Sequence, residues 1–343
     1  QMYYSSRNVI ITVLSLILSF ATQNTSVNAQ DFYKGKNLTM IIGNNVGSGY
    51  DFYGRLVGRY MAKYLAGQPN LVPQNMPGAL GVKATDYLAN IAPKDGTSIA
   101  LVNPNALIDP LLSYDSSLHR YDPTKLEFIG TADSGTKICF SWKSSKIRTF
   151  EDALKTESII ATTAPAPYPS LLNALTKTKF KIVTGYPGPA EFILAVERGE
   201  ADVVCPIDVS ALNSIRPGLI ASGQVNVLLQ LGMEPNPALT AMGVPEVWKY
   251  VDQQTRPIVE LLVGEVVVQR PFIAPPGTPA AQLQELRAAF DAAVKDPALL
   301  EEAAKSNLAI NPKSGAAVAE HLRKMYAAPK ENIEMYTKLT RTN

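Results

Sequence analysis

The chain has 343 residues, 32 Lys and Arg against 30 Asp and Glu, a formal net charge of +2, and 46% apolar residues. That length suits about two domains, and the balance is that of a globular protein with ample material for a core. A nucleic-acid binder shows a concentrated basic excess that is missing here, and two histidines, His119 and His321, are too few for a histidine-rich metal site.

The first segment reads as an export signal. Arg7 precedes an apolar stretch over 9–21, and small and polar residues follow, ending at Val27-Asn28-Ala29. This is a charged start, an apolar centre and a small-residue cleavage site. The run is short for a bilayer span, and no lipobox cysteine follows it. Cleavage is expected after Ala29, so 1–29 is read as a signal peptide and the mature protein as soluble and exported, with a membrane anchor that stays on as the alternative.

The mature chain opens as strand, turn and helix. A strand over 37–42 stops at "NNVGSGYDFYGRL" (44–56), and a helix over 51–65 follows, with Asp51 as its expected cap and Phe52, Leu56, Met61 and Tyr64 near helical spacing. A strand over 70–74 leads to a second glycine turn, "NMPGALG" (75–81), and a helix over 82–91. After the turn "PKDGT" comes a strand over 98–102. The repeated strand–helix alternation implies a parallel sheet. Residues 103–135 read as irregular and polar. A second series then offers strands over 137–142, 158–161, 179–184, 201–207 and 225–231, with helices over 149–156, 169–176 and 189–198 between them. The segment "VVVQRPFIAPPG" (266–277) reads as extended, and the tail as helical. Two such lobes, with the chain crossing near 134 and again near 270, imply a hinged cleft. Lobe 1 then comprises 30–133 and 270–343, and lobe 2 comprises 134–269. Cys139 and Cys205 sit in apolar strand-like runs. Export permits a disulfide, while two buried free thiols remain the plainer reading.

Glycine turns between strand and helix can cradle an anion, because the helix's first amides are unpaired and point outwards. Gly47-Ser48-Gly49 is such a turn. Its spacing is not that of a dinucleotide fingerprint, and no Gly-Lys-Ser/Thr follows for a P-loop. A tight turn that needs glycine for its backbone is the alternative. In the second lobe, "TTAPAPYPS" (162–170) offers the hydroxyls of Thr162, Thr163 and Ser170 and the ring of Tyr168, or is simply a proline-rich connector. Asp208 ends a strand as a helix cap or as a polar group at the cleft. No GxSxG, HExxH or CxxC occurs, so no catalytic residue, cofactor or metal is expected.

The order of these features resembles the substrate-binding proteins of tripartite tricarboxylate transporters, the Bug-type receptors. The resemblance rests on "IIGNNVGSGYD" (41–51), "NMPGALG" (75–81), "APKDGTSIALVN" (92–103), "GYPGPAEFILAVERGEAD" (185–202), "RPFIAPPGTPA" (270–280) and "KDPALL" (295–300). It implies an α/β, two-lobed periplasmic binding protein fold of type II, a Venus flytrap, each lobe a βα sandwich with two crossing strands at the hinge. It also implies a small organic acid held through backbone amides, hydroxyls and waters. Carried over residue by residue, the ligand contacts fall on Val46, Gly47, Ser48, Gly49 and Asp51, then on Pro77, Gly78 and Ala79. In the second lobe they fall on Thr162, Thr163, Ala164, Ala166, Tyr168 and Ser170, with Asp208 at the cleft. The second-lobe loop departs from the family pattern, with three prolines and no glycine.

The sequence therefore leads to an exported, monomeric receptor that delivers a small carboxylate to membrane permease subunits, with no nucleic-acid partner. A secreted α/β enzyme acting on a small carboxylate, or a receptor feeding a sensor kinase, are the alternatives.

Overall fold

In the computed structural model, which describes residues 32–112 and 119–341, the strand–helix alternation resolves into two mixed sheets. The expected export signal lies outside the described residues. The first lobe begins with β1 (Asn37–Ile42), α1 (Gly49–Tyr64), β2 (Asn70–Asn75), α2 (Val82–Asn90), β3 (Ser98–Leu101), α3 (Asn105–Leu112) and β4 (Glu127–Thr131). The chain then crosses into β5 (Lys137–Trp142), α4 (Phe150–Lys155), β6 (Ser158–Ala161), α5 (Pro167–Thr176), β7 (Phe180–Val183) and α6 (Pro189–Glu197). The same lobe continues with β8 (Val203–Asp208), α7 (Val209–Ile215), β9 (Val225–Leu231), α8 (Pro237–Ala241) and α9 (Arg256–Val263). It returns through β10 (Pro271–Ala274), α10 (Ala280–Ala293), α11 (Pro297–Lys305), β11 (Lys313–Ser314) and α12 (Gly315–Tyr326), and α13 (Lys330–Thr340) closes the described chain.

The six-stranded sheet runs β11-β4-β10-β3-β1-β2, and the five-stranded sheet β7-β6-β8-β5-β9. β1 pairs in parallel with β2 and β3, and β6 with β7 and β8. The all-parallel expectation holds only for these strands. β10 is antiparallel to both β3 and β4, and β5 to both β8 and β9. These reversals follow from crossing between lobes twice. A strand that enters a sheet from the neighbouring lobe runs against the strands built by local crossovers.

Helix α1 lies close to its sheet because it carries glycine where a side chain would collide. A Cβ on Gly54 would stand 2.9 Å from Ile42, and one on Gly58 would stand 3.0 Å from Met40 and Leu71. On the same core, α10 contributes Leu283, Leu286 and Phe290. Burying a side chain such as Phe290 completely stabilises by about 2–3 kcal/mol. The second core packs β5, β6, β8 and β9 against α5 and α9. α13 packs there too: Tyr336 belongs to this second core, and α13 contacts α5 and α9. From sequence, that tail was expected to belong to lobe 1.

The segment read as irregular, 103–135, holds α3 and β4. α3 carries Pro110 in its interior, which disguised it. β4 is a sheet-centre strand, "EFIGT", buried from Phe128 onwards. The apolar run read as extended from 266 is a 3₁₀ turn over Gly264–Val268. Val266, Val267 and Val268 are buried there, so tertiary packing overrides their strand propensity.

Cys139 and Cys205 are joined as a disulfide, not left as free thiols. They lie on the adjacent antiparallel strands β5 and β8, where a register shift between Ile138 and Phe140 sets them side by side.

The two crossing segments are bonded to each other. The Ala132 amide donates to the Arg270 carbonyl (3.0 Å), and the Gly135 amide donates to the Val266 carbonyl (2.9 Å).

Candidate functional site

The carboxyl ends of β1 and β2 bring both glycine turns to one edge of the first lobe. They abut there: a Cβ on Gly43 would stand 3.2 Å from the Gly81 Cα. Ser48, not Asp51, caps α1, its hydroxyl accepting from the Asp51 amide at 3.2 Å. Asp51 staples the two turns together. Its carboxylate accepts from the Gly47 amide (2.9 Å), from Arg55 Nε (2.8 Å) and from Asn75 Nδ2 (2.9 Å). Asn75 Nδ2 also donates to the Asn44 carbonyl at 3.0 Å. Burial pulls the Asp51 pKa upwards, but the Gly47 amide, Asn75 and Arg55 together hold it below the ordinary value.

The two glycines of this turn differ in kind. Gly47 has φ +79°, a left-handed conformation that favours glycine. Gly49 needs no such conformation, and a Cβ there would meet nothing within 4 Å. Among the described residues, the amides of Gly49 and Tyr50 have no protein acceptor. They stand at the positive end of α1.

The facing jaw has a different character. It runs from the end of β6 into α5, with Thr162 tied by its amide to the Val183 carbonyl at 3.1 Å. Pro165, Pro167 and Pro169 remove three of its amides; Pro167 sits in the first turn of α5, where the lost donor disturbs no helix bond. Tyr168 is buried, with its hydroxyl 2.7 Å from Glu265 Oε1 and 3.1 Å from the Leu262 carbonyl. Burial and the Glu265 charge push its pKa well up, so the phenol stays neutral and donates.

Between the jaws the crossing segments supply a charged floor. Lys137 Nζ lies 2.9 Å from Glu265 and 3.8 Å from Asp208. Burial alone would depress its pKa, and the two carboxylates outweigh burial and raise it. Gln269 Nε2 donates to Asp208. Arg270 stacks over Tyr50 (4.4 Å) and Tyr53 (5.1 Å), and its Nη1 donates to the Tyr50 hydroxyl (3.2 Å) and the Gln269 carbonyl (2.8 Å). Two buried atoms in this region have no hydrogen-bond partner among the described residues: Gln269 Oε1 and Arg270 Nε. Burial raises the Asp133 pKa to about 6, with Arg270 opposing and Asp208 assisting.

Two cavities open on this floor. The larger, about 630 Å³, lies between α3, Leu80 and the second-lobe jaw. The smaller, about 120 Å³, reaches Tyr50, Asn103, Asp208 and Arg270. Asn105, Lys137 and Glu265 line both. Of the residues expected from sequence, Thr162, Thr163, Ala164, Ala166 and Tyr168 line the larger cavity, and Asp208 the smaller. Ser170 lies one turn further into α5 and lines neither. Val46, Gly47 and Gly49 are exposed, Ser48 is half-buried, and all four sit on the rim with Asp51 beneath them. Pro77, Gly78 and Ala79 are also exposed on that rim, where their neighbour Leu80 reaches the larger cavity.

Sequence reasoning missed Lys137, Glu265, Arg270, Asn105 and Asp109. Lys137 and Arg270 did carry a signal, since each is a lone cation beside an apolar strand at a lobe crossing. Glu265 and Asp109 carried none, because Asp109 lies in a segment that reads as irregular and Glu265 beside a run that reads as extended. His321 is a packed histidine, Nε2 lying 2.8 Å from the Gly264 carbonyl. Among the described residues, no group of three or more His, Cys, Asp or Glu is placed to hold a metal ion, and no helix is long and apolar enough to cross a membrane.

Comparison with protein-family models and with curated proteins finds no match. Solved structures do match over nearly the whole chain. A TctC solute binding protein from Polaromonas, without ligand, superposes with a TM-score of 0.69 at 16% identity, covering 90% of this chain and 98% of the other. MatC from Rhodopseudomonas palustris with bound malate gives 0.58 at 17% identity, covering 90% of this chain and 99% of its own. A second R. palustris protein, with adipate, gives 0.61 at 16% identity, covering 89% of this chain and 97% of its own. At such identities the likeness shows the fold alone: a two-lobed α/β architecture.

Proposed function

We propose that this chain is an exported receptor of the Bug and TctC kind, which captures a small organic acid between its lobes and delivers it to a membrane permease. The observation that carries the reading is the open α1 terminus at Gly49, facing a second jaw across a floor that holds a half-buried arginine. Gly49 is required neither by its backbone conformation nor by its packing. A glycine there leaves room for a ligand to approach the two unpaired amides. The malate and adipate bound by similarly folded proteins support the same class of cargo. The lobe division at 134 and 270, the periplasmic location, the monomeric state and the permease partner belong to this proposal.

On this reading Gly47, Ser48, Gly49 and Val46 form the first-lobe lip, backed by Asp51, with Pro77, Gly78 and Ala79 beside it. Thr162, Thr163, Ala164, Ala166, Tyr168 and Asp208 form the opposite wall. A ligand that touches both walls favours the closed arrangement, and membrane partners recognise that arrangement. The test is a melting-shift screen of the mature protein against an organic-acid library, followed by calorimetry and product analysis. Saturable stabilisation without turnover supports the receptor. Product formation would establish an enzyme instead, and no shift with any acid would sink the reading.

A further inference from the structure

We propose that the captured molecule is a monocarboxylate that carries a cationic group, an ammonium above all, at the end remote from its carboxylate, with an apolar spacer between. This rests on the receptor reading and narrows it. The two cavities share Asn105, Lys137 and Glu265, and together they are lined by three carboxylates, Asp109, Asp208 and Glu265, against two cations, Lys137 and Arg270. Lys137 is already committed, at 2.9 Å from Glu265 and 3.8 Å from Asp208. Arg270 is less so: among the described residues it forms no ion pair, its Nη1 bonds go to a phenol and a carbonyl, its buried Nε has no acceptor, and Asp133 and Asp208 act on it only through space. The smaller cavity therefore offers one carboxylate a guanidinium that is outside any ion pair, and no second cation for another.

The far end has the opposite need. Asp109 takes a single neutral hydrogen bond, from Asn105 Nδ2 at 3.2 Å, and no cation pairs with it among the described residues. A second ligand carboxylate placed there would face Asp109 and Glu265, and like charges brought together without water between them repel strongly. An ammonium would complete Asp109 instead. The larger cavity carries an apolar wall, built from Ile108, Leu112, Phe192, Leu261 and the prolines of the second jaw, beside the Lys137–Glu265 pair that both cavities share. A methylene chain or a ring suits that wall, and a hydroxylated spacer does not.

The experiment is calorimetry on the full mature chain with matched pairs of ω-amino acids and α,ω-diacids, such as 6-aminohexanoate against adipate, across chains of four to eight carbons. The amino acid of the best-fitting pair should bind at least about tenfold tighter than its diacid. Asp109→Asn should weaken the amino acid by about tenfold or more and improve the diacid, while the simple monoacid, hexanoate, changes little. Tighter diacid binding by the wild type overturns the proposal and leaves the receptor reading standing, as does an Asp109→Asn variant with an unchanged preference. The proposal alone also falls if no pair binds while another acid from the library does. Failure of every acid, library included, removes both.

Discussion

Asp133→Asn should stabilise the protein at neutral pH, against the usual direction for a buried substitution. Asp133 is 2% exposed at the first lobe crossing. Burial raises its pKa to about 6 from the ordinary value of 3.8, despite the opposing pull of Arg270 and of the Ser210 hydroxyl. A shift of roughly two units costs about 3 kcal/mol once the group is ionised. The sign follows from proton uptake. Between the unfolded and folded pKa values the native state binds more protons, so this group's contribution falls as pH rises from about 4 to about 6. Above that window the whole penalty is present, and below it there is none. Asparagine mimics the protonated acid in shape and charge. The variant should melt within a degree or so of wild type near pH 4, and about 5 °C higher near pH 8, at roughly 2 °C per kcal/mol for a chain of this size. Calorimetric melting of both proteins across that range checks it. A gap that does not change with pH, or a wild type that is the more stable at pH 8, would refute the argument from burial.

Other sites give expectations of different kinds. Gly49→Asp should leave the fold intact, because its Cβ points into open space and an acid in the first helical turn is favourable; bound acid should be lost, and unchanged affinity by calorimetry would take this turn out of the site. Gly130→Ala should cost about 3 kcal/mol or more, since its Cβ would lie 2.2 Å from the fully buried Phe290 ring; an unchanged denaturant midpoint would show that α10 can yield. Reducing the Cys139–Cys205 bridge, whose partners lie 66 positions apart, should lower stability by about 4 kcal/mol on the chain-entropy account, read as a drop in melting temperature with added dithiothreitol.

The strand–helix alternation was legible wherever the apolar period was clean. β6, read as 158–161, and β9, read as 225–231, carry the bounds expected of them. Legibility failed where a local rule was overridden from a distance. Pro110 hid α3, yet the helix forms because Leu107, Ile108 and Ala106 are buried against the neighbouring core. The valines at 266–268 look like a strand and instead form a tight turn, whose flanking residues Glu265 and Gln269 reach the cleft floor. The site divides the same way. Its loops announce themselves through glycine and proline, which mark backbone conformation locally. Its floor does not, because Lys137, Glu265 and Arg270 are 128 and 5 positions apart in turn and only the double crossing unites them. The disulfide was undecidable for the same reason, since pairing depends on strand register across sixty-six positions.

The altered second jaw changes how binding can be coupled to closure. On the receptor reading, with three amides removed by proline, that jaw would hold a ligand mainly through Thr163, the charged floor and an apolar wall. α3 then gains weight. Asn105, Ile108, Asp109 and Leu112 follow helical spacing along one face, and all four line the larger cavity. Leu111 and Leu112, at its end, pack against cores of both lobes. A ligand lying along this face therefore touches an element already engaged with each side of the hinge. Direct bonds elsewhere between the lobes include the Ser134 hydroxyl to the Asn311 carbonyl at 2.9 Å, Ser214 Oγ to the Asn307 carbonyl at 3.0 Å and the Lys313–Glu234 pair at 3.2 Å. Exposed pairs contribute little. On the receptor reading, what fills the cleft adds its own preference for one lobe arrangement over another to these bonds.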